Sequence, residues 1–205
     1  PALDRDVFLM YVQSMTFQLF NFSRRVLSAT GLLRPFRKLL GPTVGRLLFR
    51  LSAKTESRVL VKGHRMSLAT KGKYPPIRMA MGDYEQETTA LFLKCVETGM
   101  SVLDVGAHVG YYSLLAAKLV GQNGQVYSFE PDPDNYSLLI KNIKENGYET
   151  VTAINQGVSA TSGTETLFLS RLDNGRHSIY RHGLPENGSV TISTISVDDY
   201  FGPLG

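Results

Sequence analysis

The chain opens with apolar positions that recur every three or four residues, with basic side chains between them. Leucine, phenylalanine and valine keep this spacing from Leu32 to Leu51, which is typical of amphipathic helices. Gly41-Pro42 falls inside the run and predicts a break into two helices, because proline lacks an amide donor and restricts the residue before it. An earlier helix is predicted over Leu3 to Asn21. Residues 1–57 are therefore interpreted as a basic, amphipathic helical region.

Two uses of this helical region stay open. In the first, the helices pack on the rest of the chain and show a solvated basic face. In the second, one of them is a surface helix that meets anionic lipid or an anionic substrate. The sequence does not decide between them.

Shorter segments begin at about Arg58. Three runs predict strands separated by glycine-containing turns: Arg58 to Lys62, Met66 to Thr70 and Ile77 to Ala80. Glu85 to Glu97 then predicts a helix that Gly99 stops. Residues 58–98 are interpreted as a β-hairpin region with a lead-in helix.

From residue 99 onward strands and helices alternate, which predicts an α/β domain with a parallel sheet. The predicted strands are Ser101 to Gly106, Gln125 to Glu130 and Val151 to Asn155, and the predicted helices are Tyr111 to Val120 and Asn135 to Asn146. Asp132 is a good N-cap with Pro133 at the first helical position, and Gly147 is placed to end the second helix. Ligands of such sheets bind at the carboxyl ends of the strands.

Composition excludes several classes of protein. The 205 residues are 42% apolar and 20% charged, which describes an ordinary globular chain. Cys95 is the single cysteine and no Cys/His group has zinc spacing, so a disulfide scaffold and a metal site are both disfavoured and a cytoplasmic location is expected. Val7 to Phe22 is interrupted by polar residues and does not predict a membrane span.

The net charge of +4 is divided unevenly along the chain. Residues 1–58 hold ten Lys/Arg and three Asp/Glu, whereas residues 59–205 hold twelve and fifteen. A nucleic-acid-binding domain would carry its positive charge on the folded domain, so nucleic acid is not expected as a partner. Peripheral membrane contact through residues 1–58 stays open.

The glycine spacing after the first strand of the parallel sheet narrows the choice of ligand. A dinucleotide fingerprint that started at Gly106 would need glycine where His108 and Tyr111 stand, and a Walker loop would need Gly-Lys-Ser/Thr. What remains is Asp104-x-Gly106-x-x-x-Gly110, with Glu130 at the end of the next strand. The two glycines let the backbone approach a ligand closely, and the carboxylate is placed to accept hydrogen bonds from both hydroxyls of a ribose.

The segment from Val102 to Ser113, followed by Phe129-Glu130-Pro131-Asp132-Pro133, resembles the FkbM family of S-adenosylmethionine (SAM)-dependent methyltransferases. Weaker matches extend the similarity over about Gly82 to Tyr200. The resemblance implies a Rossmann-like class I methyltransferase fold, SAM as cofactor, and O-methylation of a hydroxyl on a sugar, glycolipid or other small metabolite.

The resemblance also implies roles for particular residues. The methionine half of SAM would be lined by Asp104, Gly106, Ala107, His108 and Gly110, with Asp104 near its ammonium group or ordering the loop. Glu130 would hold the ribose hydroxyls, Pro131 would sit against the adenine, and Asn155 or Gln156 could bond its edge. Tyr84 and Glu85 would close the pocket from the N-terminal side. The catalytic base is not identified, and His177 is a weak candidate.

Structural interpretations of the same residues compete with these roles. Asp104 could cap the following helix, Glu130 could be a solvated strand-end acid, and His177 could be an ordinary polar loop residue. For the whole chain, the main alternative is a non-catalytic Rossmann-like binding module that its N-terminal helices dock to a membrane or partner. An NAD-linked dehydrogenase is disfavoured by the glycine spacing.

The sheet is expected to be incomplete at its C-terminal end. A class I methyltransferase sheet has seven strands, but only three can be placed by Asn155, and the later runs Glu165 to Ser170 and Val190 to Val197 follow in the remaining residues. The family's strand with a Lys-x-Asp-x-Glu-Gly motif is not reached. We therefore expect an exposed sheet edge prone to aggregation, weakened cofactor affinity and little or no turnover.

Overall fold

The computed structural model describes residues 56–69, 78–79, 82, 84–171, 175, 177–181 and 186–202. The helices predicted within residues 1–57 lie outside the described residues. The chain divides into two compact units, one of residues 1–71 with 75–84 and one of residues 72–74 with 85–205. The lead-in helix therefore groups with the parallel sheet and not with the hairpin.

The first unit contains the predicted hairpin. Strands β1 (Glu56–Val61) and β2 (His64–Ala69) pair antiparallel, and each begins two residues earlier than the sequence predicts. Lys62 and Gly63 both have positive φ, 51° and 90°, as a two-residue turn that matches the strand twist requires. Val59, Val61, Met66 and Leu68 form its buried side.

The predicted third strand at Ile77 to Ala80 is wrong. Arg78 and Met79 are helical, and the Gly82 amide donates to the Met79 carbonyl at 3.0 Å. Met79 is buried, so its apolar character reflects core packing. A short apolar run cannot by itself distinguish a strand from a helical turn.

The second unit holds the predicted parallel sheet, in the order β3 (Ser101–Val105), β4 (Gln125–Phe129) and β5 (Val151–Ile154). Helices α1 (Gln86–Cys95), α2 (Tyr111–Val120) and α3 (Pro133–Asn146) accompany it, and α1 is shorter at both ends than the sequence predicts. The predicted ends of α3 are confirmed, because the Asp132 side chain accepts from the Asn135 amide and Gly147 has a φ of 69°. No helix in the described part of the chain is long and apolar enough to cross a membrane.

One face of this sheet packs on α2. Ala116, Ala117 and Val120 of the helix form a buried cluster with Val126 of β4, and Phe92 of α1 packs against it. Each fully buried valine contributes about 1.5–3 kcal/mol, so this cluster stabilises the packing of α2 on the sheet. It fixes the helix whose first residues follow the glycine loop.

A short C-terminal helix covers part of the opposite face. Residues after β5 build a second sheet in the order β6 (Gly157–Val158), β8 (Glu186–Ile195) and β7 (Gly163–Ser170), and α4 (Val197–Phe201) follows. Tyr200 of α4 lies edge-on to Phe129 with ring centroids 5.1 Å apart, and Phe201 lies 4.8 Å from Tyr127. The aromatic residues near the end of the sequence thus close over β4.

The neighbouring strand β3 is less well covered. It forms an edge of the three-stranded sheet seen in the described residues, and its Leu103 and Val105 side chains are 40% and 55% exposed. Parallel sheets are usually covered on both faces. The expected exposed edge is therefore present in the described part of the chain, while its tendency to aggregate stays a prediction.

We expect Val105→Thr to lower self-association, because it removes an exposed methyl group from an edge strand without changing the side-chain shape. Concentration-dependent light scattering measures the effect. Leu91→Thr is the control, since Leu91 is 62% exposed on helix α1. An equal decrease in both variants would assign the association to general hydrophobicity rather than to the strand.

Candidate cofactor site

The glycine loop joins β3 to α2 through an unusual run of backbone conformations. Gly106, His108 and Gly110 all have positive φ, at 78°, 53° and 92°. The amides of Gly106 and Ala107 both donate to the Phe129 carbonyl at 2.9 Å, which fastens the loop to the end of β4. Left-handed backbone is costly for a residue with a side chain, so His108 needs a compensating contact.

Glu130 supplies that contact. Its Oε2 accepts a hydrogen bond from the His108 amide at 2.7 Å, and its Oε1 accepts one from the Asp132 amide at 3.0 Å. Only 5% of Glu130 is exposed, so it is not a solvated strand-end acid. The carboxylate and the glycine loop are thus adjacent, as the sequence predicts.

Burial of Glu130 has an electrostatic consequence. Desolvation raises the pKa of Glu130 to about 7, and the nearby Asp132 charge adds to the increase. Hydrogen bonds from the Asp132 amide, the His108 amide and the Asn135 side chain oppose it. A carboxylate has about four acceptor positions, of which these amides use two and the Asn135 side chain a third. A ribose that donated both of its hydroxyls would take the remaining position and replace Asn135.

Asp104 is held by a chain of serine hydroxyls. Ser128 Oγ donates to Ser113 Oγ at 2.9 Å, and Ser113 Oγ donates to Asp104 Oδ2 at 2.6 Å. Burial raises the pKa of Asp104, and the Ser113 hydrogen bonds oppose that increase. Gly110 at the start of helix α2 has no side chain to cap it, and the Ser113 backbone amide in the first turn of the helix donates to Asp104. The alternative role of Asp104 as a cap of this helix therefore agrees with the structure.

The two glycines of the loop serve different purposes. Among the described residues, no atom lies within 4 Å of the position that a Gly106 Cβ would take, which leaves that side of the loop open to a ligand. At Gly110 a Cβ would stand 2.7 Å from Leu139 Cδ1 of α3. Gly110 therefore allows the close approach of helix α3, and its contact with the cofactor stays a prediction. Asn142 of α3 also donates to the Val109 carbonyl at 2.8 Å, inside the core.

Asn155 and its neighbours lie at the carboxyl end of β5. Asn155 Nδ2 donates to the Glu130 carbonyl at 2.8 Å and to the Pro131 carbonyl at 3.2 Å. Its amide nitrogen thus holds the turn, and its oxygen is the atom that could meet an adenine amino group. Pro131 is half-buried and lies beside Gly157. Gln156, which precedes Gly157 in the chain, is also half-buried.

Two candidates precede α1. Glu85 has a left-handed φ of 40° and its Oε2 accepts from the Tyr112 hydroxyl at 2.8 Å, which ties the start of α1 to α2. Tyr84 is half-buried and belongs to the first compact unit. Their role in closing a cofactor pocket stays a prediction.

His177 has specific partners that the sequence could not name. Its Nδ1 accepts from the Ser170 amide at 3.0 Å, and its Nε2 lies 3.8 Å from Asp132 Oδ2. It is therefore more than an ordinary polar loop residue. The described residues contain no group of three His, Cys, Asp or Glu side chains that could hold a metal ion.

Sequence reasoning missed several supporting residues. Ser113, Ser128 and Asn142 are fully buried and polar, and each bonds within or beside the loop. Asn142 lies among the apolar positions of α3, next to Ile143 and near Leu138, and this placement was a usable signal. The serines gave no comparable signal.

Comparisons with known proteins agree with this geometry at the level of class. A family model described as the TRM5/TYW2 methyltransferase domain matches residues 81–167. The hexuronic acid methyltransferase AglP of Haloferax volcanii is 30% identical over 116 residues, which are 56% of this chain and 44% of that protein. The protein-L-isoaspartate O-methyltransferase of Methanococcoides burtonii is 39% identical over 62 residues, which are 30% of each chain.

Among solved structures, Trm5b of Pyrococcus abyssi aligns at 30% identity over 49% of this chain and 28% of that one, with a TM-score of 0.40. The chain spans less than half the length of each of these three proteins. The sequence matches support a Rossmann-like class I methyltransferase domain whose cofactor is SAM. They do not single out the FkbM family.

We expect Gly110→Ala to lower the free energy of unfolding by about 2–4 kcal/mol, because it adds a left-handed alanine and overpacks Leu139. Urea denaturation measures the change. Gly147→Ala is the matched control, since Gly147 has a similar backbone but open space around it, and should cost about 1–2 kcal/mol. Equal losses in the two variants would remove the packing role of Gly110.

Glu130 should make the protein less stable as pH rises. Because its folded pKa of about 7 lies above the ordinary 4.5, its stabilising contribution is complete below about pH 4.5 and is lost as pH rises through about 7. The loss is about 3 kcal/mol at most. Glu130→Gln should flatten this part of the dependence.

Urea denaturation between pH 4.5 and 8 measures the free energy of unfolding for this test. Glu149→Gln, at an exposed position, is the matched control. If wild type and Glu130→Gln show the same pH dependence, the buried carboxyl is not the group responsible.

Proposed function

We propose that this chain is a SAM-dependent methyltransferase that methylates a hydroxyl of a sugar, glycolipid or other small metabolite. The observation that carries the proposal is the Glu130 carboxylate, buried against the His108 amide of the glycine loop. The ribose hydroxyls of a nucleoside bound there would donate to the Glu130 carboxylate, and the open side of Gly106 would leave room for the rest of the ligand. The family model and the curated relatives support the same class of reaction.

Among possible acceptors, we favour a sugar that carries a carboxylate. The relative AglP is named as a hexuronic acid methyltransferase, and its match extends over 56% of this chain. A hydroxyl on such a sugar agrees with the O-methylation that the FkbM resemblance implies.

A second candidate acceptor is transfer RNA, which the TRM5/TYW2 match favours. The charge argues against it, since residues 59–205 carry twelve basic and fifteen acidic side chains. A phosphate backbone is bound mainly by lysine and arginine. For a glycolipid acceptor, the proposal includes contact of residues 1–58 with the cytoplasmic face of a membrane.

The residues of the site have binding roles in this mechanism. SAM, when bound, supplies a methyl group that is already activated on a sulfonium. Glu130 accepts the ribose hydroxyls, and Asp104, held by Ser113, is the candidate partner of the ammonium group. Fixed loops are suited to such a reaction, because in-line displacement depends chiefly on alignment of the reacting atoms.

Calorimetric titration with SAM tests the cofactor assignment. Glu130→Ala should weaken binding by about 2–4 kcal/mol, because two charge-assisted hydrogen bonds are lost. Glu149→Ala should bind as wild type does, and NAD should not bind. Unchanged affinity in Glu130→Ala would remove Glu130 from the site, and tighter binding of NAD than of SAM would favour the dehydrogenase.

Transfer of a labelled methyl group from SAM tests the acceptor. Because little or no turnover is expected of this chain, the protein is used in excess over the acceptor; any label should enter uronic-acid-containing glycans or glycolipids, and none should enter transfer RNA. Label in RNA alone would overturn the sugar proposal while keeping the methyltransferase.

A further inference from the structure

The two ring nitrogens of His177 have different partners. The Ser170 amide donates to Nδ1 at 3.0 Å, so Nδ1 must carry a lone pair. The neutral imidazole then bears its proton on Nε2, which lies 3.8 Å from Asp132 Oδ2. Both side chains are largely buried, with 13% and 10% exposed. At this distance the contact is electrostatic or bridged by a water molecule.

Asp132 links this contact to the candidate cofactor site. Its amide donates to Glu130 Oε1 at 3.0 Å, and its Oδ1 accepts from the Asn135 amide at 2.8 Å. A displacement of Asp132 would therefore move a donor away from the Glu130 carboxylate. It would also release the first turn of helix α3.

The other side of His177 is anchored in the second sheet. Phe168 and Ser178 exchange two backbone hydrogen bonds, at 2.8 and 3.2 Å, so the segment that carries His177 is fixed to β7. The imidazole thus joins β7 to the turn between β4 and α3. A general base needs an available lone pair, but Nδ1 already accepts from Ser170 and Nε2 bears the proton.

We propose that His177 is a positioning residue of the cofactor site, which acts through Asp132 to hold the turn that carries Glu130. The inference rests on the proposed SAM-binding function. In this role His177 strengthens cofactor binding and does not transfer a proton.

The proposal is tested by substitutions that keep either the hydrogen-bond donor or the hydrogen-bond acceptor of the His177 ring, but not both. His177→Gln keeps a donor that can reach Asp132, whereas His177→Asn keeps an acceptor for the Ser170 amide. We expect His177→Asn and His177→Ala to weaken SAM binding by about three- to tenfold, because both lose the polar contact with Asp132, and His177→Gln to bind within about twofold of wild type. Ser178→Ala, in the same segment, is the control and should leave SAM affinity unchanged.

The reverse order would overturn the proposal: normal affinity in His177→Asn and weak affinity in His177→Gln would mean that His177 only closes the loop after β7. Unchanged affinity in all three variants would also overturn it.

A measurement without SAM separates this inference from the proposed function. The exchange rate of the Asp132 amide hydrogen, which donates to Glu130, should rise in His177→Ala and His177→Asn but not in His177→Gln. The nitrogen chemical shifts of His177 should identify Nε2 as the protonated atom. If wild type does not bind SAM, the proposed function fails, while these two readouts still support positioning or, if unchanged or reversed, overturn it.

Discussion

The site depends on a buried carboxylate that is held by two backbone amides. Glu130 accepts from His108 of the glycine loop and from Asp132 of its own turn. These bonds do not fully offset the cost of burial, since the pKa of Glu130 rises to about 7. A ligand whose hydroxyls donate to this carboxylate, such as a ribose, would recover part of that cost.

The surrounding packing keeps this carboxylate in place. Leu139 occupies the space beside Gly110, and Asn142 bonds the Val109 carbonyl, so α3 supports the loop from behind. The serine chain to Asp104 fixes the other acid of the site from within the core. A rigid loop of this kind suits a reaction in which alignment supplies most of the catalysis.

Features encoded in local sequence were predictable. Asp132 and Gly147 predicted the two ends of helix α3, and the alternation of strands and helices predicted the parallel sheet. The positions of Gly106 and Glu130 at the ends of neighbouring strands predicted that they lie close together. Tertiary contacts were not predictable: the apolar run around Met79 became a helical turn, and Gly110 proved to contact Leu139. The partners of His177 come from segments 7 and 45 residues away in the chain, so no local pattern could reveal them.

A crystal structure with S-adenosylhomocysteine bound tests the central claim most directly. The account predicts that both ribose hydroxyl oxygens lie within about 2.6–3.2 Å of the Glu130 carboxylate oxygens. The hydrogen bond from the His108 amide to Glu130 should be retained. A ribose bound elsewhere, or a Glu130 carboxylate turned away from the glycine loop in the complex, would contradict it.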